Sequence, residues 1–215
     1  STFRNSCCKF IEIIYIVMKI GILKYSTNNI GSLVMAIEKL ELGLNISIEI
    51  IDSGVGVDPK SFDRLIIPGV GNFSSGADLL LNNFEKNFFS DALKSGTKIL
   101  GICLGFQLLF KYSEEGVNAS GLGIMDGIVK KFPDKPISPP NFGWRKIYQN
   151  STFINKYYLV HSYYVEPKDG DWISTFNGVD FCAMRRIGNL CGVQFHPEIS
   201  GKNGSKFLTD FIKND

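Results

Sequence analysis

The sequence predicts an α/β domain: a mainly parallel central sheet with helices on both faces, and an additional strand-rich C-terminal half. Three observations predict it. In the first half, short apolar runs alternate with stretches of helical periodicity, and parallel strands need such crossover helices, which then cover the faces of the sheet. Two of the runs end in glycine-bracketed breaks, Pro68-Gly69-Val70-Gly71 and Gly101-Ile102-Cys103-Leu104-Gly105. From about residue 127 the helical signals stop and strand signals follow one another.

The elements come in the following order. Lys-Ile-Gly-Ile-Leu at 19–23 is a first strand. Residues 30–42 carry Leu33, Val34, Ile37 and Leu40 at helical spacing. Residues 46–51 alternate as a strand, and residues 64–67 form a short apolar strand stopped by Pro68-Gly69. Residues 77–93 read as one helix, and 98–102 as a strand feeding directly into another helix. Beyond them, 128–132, 143–148, 157–163 and 172–176 predict strands. Residues 181–187 and 190–195 predict a hairpin across Gly188-Asn189. That hairpin sets Cys191 opposite Arg186 and leaves Cys182 toward the far end, so the two thiols do not face each other. A last helix is expected over 204–212. The proline-rich stretch 132–140 is a loop inside the domain, and no linker or repeat interrupts the chain.

The N-terminus is read separately. The apolar run 10–18 follows Arg4 and Lys9, contains Glu12 and has no small-residue cleavage site after it. It is shorter than the roughly 20 residues a membrane-spanning helix needs. Met18 stands directly before the first strand. The expectation is that the protein starts at Met18, with 1–17 an upstream or non-native extension and 18–215 the domain.

Composition narrows the function classes. The chain has 215 residues, 44% of them hydrophobic, with 17 Phe and 8 Tyr, enough for one core. Its 23 basic and 21 acidic residues are interspersed, leaving +2, which provides no electrostatic footprint for a nucleic acid. Two histidines and five cysteines without a CxxC pair predict neither a structural metal nor a cofactor. Cysteines that are odd in number and widely spread point to a reducing, cytoplasmic setting.

Three segments carry chemistry. In the first, an apolar strand runs into Gly101-Ile-Cys103-Leu-Gly105 and on into a helix-forming run. This is the cysteine counterpart of the sharp strand-to-helix turn that exposes a nucleophile. A cysteine at a helix N-terminus gains from the partial positive charge there, which favours the thiolate. In the second, His196-Pro197-Glu198 places an imidazole and a carboxylate on one face if the chain is extended, the spacing of a base and its orienter. The other histidine, His161, falls in a predicted strand and reads as structural or as pocket wall. In the third, Pro68-Gly69-Val70-Gly71 lies at the C-terminal end of a strand, where ligands of parallel sheets bind. Its N–H groups and that of Leu104 could form an oxyanion hole. The loop fits neither GxGxxG nor the phosphate-loop pattern. Taken singly, each segment has a bland alternative: a core cysteine, a solvated His and Glu, an empty turn. Their joint occurrence favours catalysis.

Together and in this order the three segments resemble the class I glutamine amidotransferases, the Cys-His-Glu glutaminases. Pro68-Gly-Val-Gly71, Gly101-Ile-Cys-Leu-Gly-Phe-Gln107, Glu114-Glu115-Gly116, Val160-His-Ser-Tyr-Tyr-Val-Glu-Pro167 and Gly192-Val-Gln-Phe-His-Pro-Glu198 are most similar to the branch of glutaminase subunits of imidazole glycerol phosphate synthase. The resemblance runs from about residue 19 to the C-terminus and implies a single-domain, flavodoxin-like fold. It further implies that Cys103 attacks the side-chain amide of glutamine, His196 shuttles the proton and Glu198 orients His196. Val70 and Leu104 would supply the oxyanion hole, the former after a backbone flip, and Gly69, Gly71, Gln107, Ser162 and Tyr163 would hold glutamine. Ammonia would pass to a (β/α)₈ barrel synthase subunit in a heterodimer, docked over a face that includes Asn29, Trp144, Tyr158 and Ile199.

The sequence departs from that branch at three places on segments assigned to the partner face. Lys24-Tyr-Ser-Thr-Asn-Asn29 stands where Asp-Tyr-Gly-x-Gly-Asn is usual, Arg145 where Asn is usual, and Ile199 where Lys is common. A paralogous subunit that supplies ammonia for amidation of a surface-polysaccharide sugar is therefore a second reading. An inactive scaffolding subunit is a third, and a cysteine peptidase or γ-glutamyl hydrolase a more distant one.

Overall fold

A computed structural model describes residues 17–25, 30–116 and 119–214. Cys7, Cys8, Asn29 and the expected extension up to residue 16 lie outside the described residues. The first half runs β1 (Val17–Leu23), α1 (Gly31–Glu38), β2 (Asn45–Ile51), β3 (Arg64–Ile67), α2 (Phe73–Asn83), α3 (Lys86–Lys94) and β4 (Lys98–Ile102). A one-turn α4 (Leu104–Gln107) follows, then β5 (Phe110–Ser113), β6 (Met125–Lys131), β7 (Asn141–Gln149), β8 (Thr152–His161) and β9 (Tyr163–Val165). The chain ends with β10 (Trp172–Phe176), β11 (Val179–Ile187), β12 (Leu190–Val193) and α5 (Gly201–Lys213).

Nine strands make one mixed sheet in the order β2-β1-β3-β4-β12-β11-β10-β7-β8, and β5-β6-β9 make a small second sheet. Pairing is parallel from β2 through β12, as the alternation of strands and helices predicts, and antiparallel from β12 to β8. Side chains alternate across the parallel strands. Leu65, Ile67 and Ile99 enter the core under α2 and α3, whereas Ile66, Leu100 and Ile102 enter the core with Leu33 and Ile37 of α1 and Phe207, Leu208 and Phe211 of α5. The hairpin at Gly188 pairs Arg186 with Cys191 as expected. Cys182 and Cys191 fall into opposite cores, and both are free thiols.

Four expectations are corrected. The helix expected over 77–93 is two helices, broken where Phe84 and Glu85 turn extended (ψ 121° and 150°). The break buries Phe84 edge-on against Phe88, ring centres 5.3 Å apart. The helix after Cys103 ends after one turn, because Leu108, Leu109 and Phe110 are all fully buried and leave no solvent face for a surface helix. The strand expected over 157–163 is divided at Ser162: β8 ends at His161 in the large sheet and β9 begins at Tyr163 in the small one. The first helix stops at Glu38, four residues short of 42.

The register of β4 on β12 decides the site. Gly101 pairs with Gly192 and Ile102 with Val193, so Cys103 and Gln194 leave the sheet side by side at the same edge.

Candidate active site

Cys103 sits at φ 54°, ψ −108°, a strained conformation for a residue with a Cβ, held because its neighbours are over-determined. Its N–H donates to Val193 O (2.8 Å), tying the turn to β12. A Cβ at Gly105 would overlap the carbonyl oxygen of Ile67 in β3, so the second glycine of the motif is required by close backbone approach. The turn therefore has the sharp geometry expected of it. The one-turn α4 is too short to sum an appreciable dipole at Cys103.

His196 leaves β12 extended (φ −99°, ψ 96°), but Pro197–Ile199 form a single 3-10 turn. The His196–Glu198 pairing thus comes from a turn and not from the extended alternation the sequence suggested. Nδ1 donates to Glu198 Oε1 at 2.8 Å. Nε2 is buried with no hydrogen-bond partner among the described residues. The backbone is pinned from two sides, by His196 N–H donating to Tyr158 O (3.0 Å) and by Ser200 Oγ donating to His196 O (2.6 Å). Burial works against the imidazolium, but the Cys103 sulfur and the Glu198 carboxylate outweigh it and raise His196 to about 11.

Beside the sulfur is a cleft of about 240 Å³. It is lined by Val70, Gly71, Cys103, Leu104, Gln107, Ser162 and Tyr163 among others, so the glycine loop, the cysteine turn and the His-Ser-Tyr segment meet at one cleft. Gly69 lies behind the cleft wall, its carbonyl accepting the Leu104 N–H (3.2 Å). The Leu104 amide expected to serve an oxyanion is consequently engaged in this conformation. Val70 is 53% exposed, and the hydroxyl of buried Tyr25, packed against Gly69, has no hydrogen-bond partner among the described residues. Gln107 Nε2 donates to Tyr163 O (3.1 Å) and to Gln194 Oε1 (3.0 Å). With both N–H groups committed, only its Oε1 remains to meet a ligand.

Several residues escaped the sequence reading. Gln194 is fully buried and its Nε2 lies 3.7 Å from Cys103 Sγ. Its position two residues before His196 was an available signal, since strand neighbours i and i+2 share a face. Glu115 lines the cleft and accepts the Phe73 N–H (2.8 Å). Burial raises its carboxyl above the usual range, with that hydrogen bond and one from Asn72 opposing. No local pattern marks Asn141, whose Nδ2 donates to His161 Nε2 (2.9 Å) while its Oδ1 accepts from Arg145 Nε (2.8 Å). His161 Nδ1 in turn donates to Tyr163 O (2.7 Å). His161 is pocket wall, and burial lowers it to about 4, so it is neutral.

Trp144, Tyr158 and Ile199 do not enter the cleft. Phe142 and Trp144 pack edge-on against Tyr158, at 5.7 and 6.1 Å, and Ile199 follows on the turn fastened to β8 by Tyr158 N–H donating to Ser200 Oγ (2.9 Å). Phe142, Trp144 and Ile199 are 61%, 50% and 47% exposed. They make an apolar patch on the outer side of the turn that carries His196 and Glu198. Arg145 does not belong to it: strand alternation directs its side chain to the other side of β7, over the ring of Phe176.

Residues 29–214 match the family described as glutamine amidotransferase class-I. Curated relatives named imidazole glycerol phosphate synthase subunit HisH include one from Geobacillus sp. (strain WCH70), 36% identical over 89% of this chain and 95% of its own. One from Prochlorococcus marinus subsp. pastoris is 38% identical over 91% of this chain and 98% of its own, and one from Thermotoga maritima 34% identical over 91% and 97%. Among solved structures, one titled as a glutamine amidotransferase superposes with TM-score 0.63 at 14% identity over 90% of this chain and 97% of that one. A glutamine amidotransferase from Thermotoga maritima superposes with TM-score 0.56 at 12% identity over 90% of this chain and 82% of that one.

Proposed function

The chain belongs to the class I glutamine amidotransferase family, and from that premise we propose how its residues carry out the reaction. It is a glutaminase subunit of imidazole glycerol phosphate synthase, releasing ammonia from glutamine for histidine biosynthesis. The sugar-amidating paralog and the inactive scaffold are not favoured, since the relatives named above share the histidine-pathway name.

The observation that carries the chemical reading is that Cys103, which lines the cleft, interacts with His196, whose Nδ1 is held by Glu198. With glutamine in the cleft, the Cys103 sulfur attacks the side-chain amide carbon. His196, protonated against Glu198, gives its Nε2 proton to the departing nitrogen, so ammonia leaves and a γ-glutamyl thioester remains. Neutral His196 then takes a proton from water as it attacks the thioester, which yields glutamate and returns the sulfur. Gln107 Oε1 accepts a hydrogen bond from the substrate, while Gly71, Ser162 and Tyr163 shape the remainder of the cleft and Gly69 supports its wall from behind.

The engaged Leu104 amide supports a gated enzyme. While Gly69 O accepts the Leu104 N–H, neither it nor the Val70 N–H can meet an oxyanion. Rotation of the Gly69–Val70 peptide frees the first and presents the second, completing the oxyanion hole. The partner is a (β/α)₈ barrel synthase subunit in a heterodimer, seated on the patch of Phe142, Trp144, Tyr158 and Ile199. Apolar Ile199 extends that patch where the branch commonly has Lys. Arg145, turned away from the patch, leaves docking unaffected.

The test is to assemble the chain with the synthase subunit of the histidine pathway and measure glutamate release with and without that subunit's ribonucleotide substrate. The expected result is release that rises with the loaded partner and disappears in Cys103→Ala. Release that persists in Cys103→Ala removes the nucleophile, and absence of any complex removes the partner.

A further inference from the structure

We propose that Gln194 is a catalytic residue: its side-chain amide donates to the Cys103 sulfur and stabilises the thiolate, with Gln107 setting the direction of that amide. The inference rests on the reading of Cys103 as nucleophile. Three observations carry it. Gln194 is fully buried and its Nε2 is 3.7 Å from Sγ, within reach of an N–H···S hydrogen bond. Its Oε1 accepts from Gln107 Nε2 at 3.0 Å. Gln107 Nε2 also donates to the Tyr163 carbonyl at 3.1 Å, and a carbonyl can only accept. The orientation of both amides is therefore set by a backbone oxygen, and the NH₂ of Gln194 must face the sulfur.

The donor discriminates between the two forms of the nucleophile. A neutral thiol accepts weakly and donates its own proton toward Val160 O (3.9 Å). A thiolate accepts as an ion, and hydrogen bonds to ions are about twice as strong as neutral ones. The Gln194 amide thus favours the charged sulfur, alongside the imidazolium of His196. It takes the role that a one-turn α4 cannot fill. Gln194 N–H also donates to Ala183 O (2.9 Å), so the side chain projects from a backbone anchored to β11. Because Gln107 lines the cleft and holds Gln194 in place, glutamine binding and nucleophile charge share one hydrogen-bonded chain.

The experiment uses Gln194→Met, which keeps the volume and removes the donor. Iodoacetamide alkylation of Cys103 is followed from pH 5 to 10 by mass analysis of its peptide, and glutamate release is measured in the assembled complex. The expected outcome is alkylation at pH 7 slowed by about tenfold, a rate–pH curve displaced by about one unit to the alkaline side, and kcat lowered with KM little changed. Gln194→Glu, whose carboxylate faces the sulfur with no donor, moves the curve further in the same direction. Superimposable curves for wild type and Gln194→Met overturn the assignment. If the variants do not fold, the side-chain amide resonances of ¹⁵N-glutamine-labelled wild type decide. Alkylating Cys103 must shift the Gln194 pair, and an unmoved pair overturns the assignment. Cys103→Ala separates the two failures: glutamate release surviving in it removes the nucleophile reading itself, whereas a silent Cys103→Ala beside an unchanged Gln194→Met curve removes only the role of Gln194.

Discussion

His161 provides a quantitative test of the buried network beside the cleft. In the folded protein its ring is neutral, donating from Nδ1 to Tyr163 O and accepting at Nε2 from Asn141, and burial lowers it from 6.5 to about 4. In the unfolded chain it titrates at the ordinary value. Above pH 6.5 both states are neutral at this ring and the network contributes in full. As pH falls from 6.5 toward 4 the unfolded state takes up a proton that the folded state refuses, and stability drops by about 1.4 kcal/mol per pH unit. Between pH 7.5 and 4.5 the loss from this ring alone is about 2.5 kcal/mol. His161→Gln has no such proton to bind. Urea unfolding of both proteins at the two pH values isolates the effect, because His196, the carboxylates and all other groups are common to both. The variant is expected to be less stable at pH 7.5, since Asn141 Nδ2 loses its acceptor, and its deficit to shrink by about 2.5 kcal/mol at pH 4.5. A deficit equal at the two pH values refutes the neutral, buried assignment.

Other perturbations test the site and its face. Glu198→Gln replaces the carboxylate that holds Nδ1 of His196 with a neutral amide that no longer supports the imidazolium, and glutamate release by the assembled complex is expected to fall by at least about a hundredfold in kcat with KM little moved. Gly105→Ala drives a methyl group into the Ile67 carbonyl, a backbone atom that cannot yield, so a loss of about 3 kcal/mol or more is expected in denaturant unfolding. Trp144→Ala takes away a half-exposed ring from the outer patch. Its stability should change by less than about 0.5 kcal/mol while calorimetric affinity for the synthase subunit falls by about 2 kcal/mol, roughly thirtyfold.

Local pattern carried the reading furthest where one short segment settles its own geometry. The apolar strand that meets Gly-x-Cys-x-Gly announces the turn at Cys103, because only glycine tolerates the approach of β3 to residue 105. The β3 and β4 boundaries agree with expectation because both strands are short, largely apolar and run into a sharp break, Pro68-Gly69 after β3 and the Cys103 turn after β4. Pattern failed where burial on all sides erases periodicity. Leu108, Leu109 and Phe110 look like a continuing helix but are core on every side, and Phe84 reads as helix interior yet marks the break between α2 and α3. The 3-10 turn at Pro197 likewise replaces the extended run that alternation suggested.

The residue types of the reaction centre, its sharp cysteine turn and the strand–helix alternation that builds a parallel sheet are determined by the sequence itself, since each depends on neighbours a few positions away. Which residues meet is decided by pairing between strands far apart in the chain. The parallel register of β4 on β12 sets Cys103 beside Gln194, and two residues on, His196 feels the charge of that sulfur. The β7–β8 register brings Asn141 against His161. The directions of the Gln107 and Gln194 amides follow from the single carbonyl of Tyr163. Hydrogen-bond direction and side-chain burial are properties of neighbours in space, which is why Gln194, Asn141 and the engaged amide of Leu104 came into view only in the folded chain.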